Sequence, residues 1–211
     1  MQNPRTAPTT LRSLAAAFPS HLADEVRTVA AAIPDARYPS AMPFPVDVCG
    51  ETVAVPYRIH HHEPPLTINQ HLSETQRAIL HCLYSRHGDG LIRQRHLEQV
   101  IGSTEPWVAP FVVQLVGEYV LEILVAIRSG LPDLTTPDSA HHHLYGDFIA
   151  RNPRFFARTE RRVVSYWACY YRWRYPDFAT YPGGLLLESL RLAATHSTGT
   201  PWARQTPPPD R

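Results

Sequence analysis

Two histidine runs stand out as places where imidazoles could do chemistry, "HHHE" at 60–63 and "HHH" at 141–143. If the first run continues a strand, His60 and His62 project to one side, and on a helix His143 and Asp147 are four apart and share a face. Three imidazole nitrogens and one carboxylate oxygen make an acceptable zinc or iron set. No H-E-x-x-H or Glu-x-x-His spacing ties the two runs into one motif. Metal binding through His60, His62, His143 and Asp147 is therefore the alternative expectation, and the primary one names no cofactor.

Glu118 and Glu122, in line with Gln114 at steps of four, raise a second chemistry. Paired carboxylates inside a bundle can do acid–base work or hold two metals. On an otherwise apolar helix the same spacing describes a solvent-facing seam, and a buried acid there would need Arg158, Arg161 or Arg162 beside it. Nucleophile and phosphate motifs are missing: there is no G-x-S-x-G, no P-loop and no G-x-G-x-x-G. Cys169, set among aromatics, reads as a buried inert thiol. No catalytic residue is assigned, and the expectation leans away from an enzyme.

The third stretch is "FFARTERRVVSYWACYYRWRY", Phe155 to Tyr175. On a helix Phe156, Val163, Val164, Trp167, Tyr170, Tyr171 and Arg174 fall near one face and predict core packing. Tyr166, Trp173 and Tyr175 are in excess of that face, and Arg158, Arg162 and Arg172 lie mostly elsewhere. Tyr, Trp and Arg dominate protein interfaces. The leading function is thus a non-enzymatic interaction or scaffold protein that contacts a protein partner, or a second copy of itself, through Arg158, Arg162, Tyr166, Arg172, Trp173, Tyr175, Glu118 and Glu122. Nucleic-acid binding is the second alternative, since arginines and aromatics also hold phosphates and stack on bases. Against it, Glu160 interrupts the stretch and the net charge is only +1.

All 20 basic residues are arginine, and prolines number 21, a usage that points to a high-GC bacterial genome. Three scattered cysteines without C-x-x-C spacing argue against a disulfide framework and for a reducing cytoplasm. "LRSLAAAF" is too short, and too interrupted by Arg12, for a signal-peptide core. The apolar run from Pro106 to Ile127 has the length of a bilayer span, but Glu118 and Glu122 would each cost about 2–3 kcal/mol there. A buried helix is favoured, with no membrane partner.

These residues must be positioned by a mainly α fold: a single-domain helical bundle with a short N-terminal β-hairpin. The expected organisation is a disordered tail over 1–10, a helix and proline-rich linker over 11–43 with a break near Pro19, a helical domain over 44–195 with the hairpin at 44–62, and a disordered proline-rich tail over 196–211. Alternating valines flank a Cys49–Gly50 turn. Ser73 and Gln76 form a capping box for "RAILHCLYSRH", "HGDG" ends that helix, and a second returns with Leu91, Ile92, His96, Leu97, Val100 and Ile101 on its buried side. A long helix follows over 106–129. Another is capped by Asp138 or Ser139, a third starts at Asn152–Pro153, and "LLLESLRLAA" supplies the last.

The hairpin from Ser73 to Ile101 resembles one unit of a HEAT-type repeat. Asp89 in the turn and the Ile92–Arg93 pair opening the second helix carry the resemblance, which spans about 30 residues. His96 departs from it, standing near the place where that family prefers a small residue. The resemblance implies a helical architecture and no particular function.

Overall fold

The computed structural model describes residues 14–34, 36, 38 and 42–204. The tail expected over 1–10, the first residues of the expected N-terminal helix and the end of the C-terminal tail, 205–211, lie outside the described residues. The described chain is mainly α, with one two-stranded antiparallel sheet near its N-terminus. It divides into two compact units, Met1–Val100 and Ile101–Arg211. That boundary falls inside the stretch expected as one helical domain over 44–195, because each side buries an apolar set of its own.

In the first unit the helix breaks at Pro19 as expected, and after one 3-10 turn α1 runs over Ala23–Ala32 with Val26, Val29 and Ala30 buried. Strands β1 (Phe44–Val48) and β2 (Glu51–Val55) pair Val46 with Val53, and their valines alternate inward. Cys49 (φ 53°) and Gly50 (φ 90°) close the hairpin with two positive-φ residues, which matches the right-handed twist of the strands. β2 stops at Pro56, which has no N–H for a ladder. The expected continuation to 62 is therefore corrected: Ile59 makes a parallel bridge to His87, and His61 an antiparallel one to Ala36.

Helix α2 (Glu74–Tyr84) has the expected capping box, with Ser73 Oγ accepting from the Gln76 N–H at 3.2 Å and Gln76 Oε1 accepting from the Ser73 N–H at 3.0 Å. Asp89 caps α3 (Gly90–Leu97) by accepting from the Leu91 N–H at 2.8 Å. This cap turns Leu91 outward, 76% exposed, and corrects its expected burial. Arg93 takes the inner place, donating from one nitrogen to the carbonyls of His87 and Gly88, both at 2.9 Å. Buried Arg86 donates to the carbonyls of Pro56 and Tyr57, so the segment after β2 is tied to the α2–α3 turn.

In the second unit the expected long helix over 106–129 is two helices, α4 (Ala109–Val116) and α5 (Leu121–Gly130). Gly117 ends the first, since it supports helix poorly, and Val120 is extended before the second. No helix among the described residues is long and apolar enough to cross a membrane. Ser139 caps α6 (Ala140–Arg151) by accepting from the His142 N–H. Pro153 opens α7 (Pro153–Tyr166), which continues as a π-helical turn over Trp167–Tyr171.

The last helix, α8 (Pro182–Thr198), packs closely on α6, where a Cβ on Gly146 would lie 2.5 Å from the Ala193 carbonyl oxygen. Between α7 and α8, buried Glu160 accepts from Arg191 Nε at 2.6 Å. The tail expected from 196 is corrected over its described part. α8 runs to Thr198, Gly199 stops it at φ 67°, and Trp202 returns to pack on Phe156 and donate its backbone N–H to Thr195 Oγ1.

Candidate functional site

Helix α7 and its π turn raise a surface of aromatics and arginines in the second unit. The π turn advances the chain by an extra residue and rotates the side chains after Trp167 away from the α7 core face. Trp167 stays buried, with its indole N–H on the Tyr175 carbonyl at 2.8 Å. Tyr170 is 58% exposed and Trp173 81%, the latter held by an indole N–H donated to the Tyr170 carbonyl at 3.0 Å. Tyr170, expected in the core, is thereby moved to the surface, and so is Cys169. Tyr119, Tyr166 and Tyr170 form a ladder with ring centroids 6.0 and 6.2 Å apart, and the Tyr171 hydroxyl ties the turn to the Tyr119 carbonyl. Burial pushes the Tyr171 hydroxyl above its ordinary range, with Glu122 adding to the effect.

The expected contact residues separate into two groups. Arg158, Arg172 and Trp173 are exposed and Arg162 and Tyr166 half-buried, with Arg172 lying over the Trp167 ring and Arg162 over Tyr166. Tyr175 is half-buried against Tyr181. Glu118, expected at the contact surface, is instead turned wholly inward by the break at Gly117, 3.9 Å from Arg162, and fastens α7 to the α4–α5 junction. Glu122 is exposed and Gln114 buried, so the three do not form one stripe.

The four expected metal ligands fall in different units, His60 and His62 in the first, His143 and Asp147 in the second. His60 is half-buried against the edge of Tyr38, and His62 is exposed. His143 and Asp147 do share a face, where His143 stacks on His196 and Asp147 accepts from Ser197. Among the described residues, no three His, Cys, Asp or Glu side chains are grouped to hold a metal ion.

A constellation not expected from the sequence joins Glu63, His96 and His81 in the first unit. His96, nearly buried on α3, has Nε2 2.9 Å from Glu63 Oε1 and Nδ1 2.9 Å from His81 Nδ1. Arg95 donates to both Glu63 oxygens. Burial would raise the Glu63 carboxyl, but hydrogen bonds from Arg95 and His96 more than offset that and hold it below its ordinary value. An ionised carboxylate only accepts, so His96 donates from Nε2, its Nδ1 is a lone pair, and His81 donates to it from Nδ1. The Tyr84 ring stacks on His96, and its hydroxyl donates to the His62 carbonyl. Burial lowers His81 to about 4, helped by His96 and Arg77, and burial also lowers His96 in spite of Glu63. The His81 ring is half-buried, and its Nε2 has no hydrogen bond to any described residue. No protein-family model, curated protein or solved structure matches this chain.

Proposed function

We propose that this is an interaction protein whose contact surface is the turn from Trp167 to Tyr175 with the outer face of α7. The observation that carries the reading is Trp173, a large indole 81% exposed yet held in one orientation by its own hydrogen bond. An exposed aromatic that is already ordered loses little conformational freedom on contact, which is what an interface anchor needs.

The partner's chemistry follows from charge. Residues 151–175 hold seven arginines and one acid, and that acid, Glu160, is buried against Arg191. Glu118 lies 3.9 Å from Arg162 and exposed Glu122 acts on Tyr171, so the surface is cationic by its excess of arginine on a chain whose net charge is +1, and it fits an acidic protein segment carrying an aromatic or aliphatic side chain for Trp173 and Tyr170 to pack on. A nucleic acid fits less well, because Arg172 and Arg174 lie over the Trp167 and Tyr175 rings and the rest of the chain is net acidic. We infer the reducing cytoplasm of a high-GC bacterium as its place, a reading supported by the arginine usage and three free thiols.

The test is titration with an acidic aromatic copolymer of glutamate and tyrosine, beside a single-stranded oligothymidylate and a sedimentation measurement of self-association. The copolymer binds, and Trp173→Ala weakens it by about tenfold or more, the loss expected for a central aromatic anchor. Tighter binding of the oligonucleotide, lost in the same variant, would replace this reading with nucleic-acid recognition. Concentration-dependent dimerisation abolished by Trp173→Ala would make the partner a second copy.

A further inference from the structure

Apart from the contact surface, the first unit carries a hydrogen-bonded chain of titratable groups, His81, His96 and Glu63. We propose that His81 Nε2 is the reactive atom of a general-base site, which takes a proton from the O–H or S–H of a small anionic compound and passes the positive charge to His96, beside Glu63.

Three features of the site point this way. The hydrogen bonds leave His81 with its Nδ1 proton directed inward at His96, 2.9 Å away, so the lone pair is on Nε2, the nitrogen without a described partner. Behind it, His96 Nε2 is 2.9 Å from a carboxylate whose other contact is the Arg95 guanidinium. Arg77 stands one helical turn before His81, with its guanidinium anchored on the Leu72 carbonyl at 2.7 Å, and supplies the positive charge that would hold an anion.

The step balances in protons alone. The donor's proton goes to His81 Nε2, the Nδ1 proton crosses to His96 Nδ1, and the donor is left as its conjugate base. His81 ends neutral and inverted in tautomer, while the positive charge resides on His96 against Glu63. A charge left on His81 would be repelled by Arg77, whereas one on His96 meets the Glu63 carboxylate, which offsets part of the cost set by burial and by Arg95 and His87, so the second histidine gives the first a way to discharge. Protons returning by the same path restore the resting tautomers. Tyr84 and His87 also border the path, Tyr84 stacked on both His96 and His87, with His60 and Asp89 acting on His87.

Two readouts on the full chain test this. Nitrogen NMR of labelled histidines finds His81 in the Nδ1–H form at neutral pH. Carbethoxylation by diethyl pyrocarbonate, followed by mass spectrometry, finds His81 still reactive at about pH 5, where an ordinary imidazole such as added N-acetylhistidine slows about 25-fold from its neutral-pH rate. Inorganic phosphate protects His81, and Arg77→Gln removes the protection. Glu63→Gln, which keeps the shape and loses the charge, slows the reaction by about threefold or more, with circular dichroism confirming the fold. The proposal is overturned by an Nε2–H tautomer, by reactivity at pH 5 no better than N-acetylhistidine, by phosphate protection that survives Arg77→Gln, or by a rate unchanged in Glu63→Gln.

Discussion

At the scale of single residues, His81 makes stability depend on pH in a definite direction. A histidine in the unfolded chain titrates near 6.5, whereas folded His81 does so at about 4. Between those values the unfolded state binds the extra proton, so His81 favours the fold fully above about pH 6.5, and this contribution is lost as pH falls toward 4. His96 is shifted the same way. Melting temperature should therefore drop steeply from pH 6.5 to 4, and His81→Gln should flatten that drop in a scan of thermal unfolding; an unchanged slope would show that the acid sensitivity lies elsewhere. Little of this was legible in the sequence. His81 and His96 are 15 residues apart and match no motif, and the one trace was an imidazole at a place where a repeat-like hairpin prefers a small residue. The surplus of Tyr166 and Trp173 was legible, because helical spacing cannot bury every ring in that stretch. The exposure of Tyr170 was not, since it depends on a π turn that no residue type announces.

At the scale of elements, local chemistry showed through where a side chain bonds the backbone a few residues away. Ser73 with Gln76, Asp89, Ser139 and the Cys49–Gly50 turn all lie where their types and spacing put them. The break between α4 and α5 did not, because the apolar pattern runs on through both helices and Gly117 is its only mark. Glu118 then looks like part of a surface stripe although it is wholly buried. The contact of α6 with α8 depends on a missing side chain. Gly146→Ala would place a methyl 2.5 Å from the Ala193 carbonyl oxygen, a backbone atom that cannot swing aside. The helices must separate, at a cost of about 2–3 kcal/mol in chemical denaturation. A loss below about 0.5 kcal/mol would mean that the helices accommodate the methyl without strain.

At the scale of the whole molecule, mainly helical character and the N-terminal hairpin follow from periodicity, whereas the division near residue 100 does not. Apolar residues continue across it, from Leu97 through Ile101 to Trp107, and only the three-dimensional contacts show that they serve separate cores. Charge is just as unevenly spread, with seven of the 20 arginines gathered in residues 151–175. The tryptophans are segregated too. Trp107 and Trp167 are buried, Trp202 is half-buried, and Trp173 alone stands mostly in water. In optical terms, the long-wavelength edge of the protein's fluorescence, and most of its sensitivity to acrylamide, belong to Trp173. A partner seated on the π turn would then shift the emission to the blue and shield it from the quencher, and Trp173→Phe would erase both changes. On the proposed reading the Trp173 indole is thus its own reporter, and occupancy of this surface could be followed without attaching a dye.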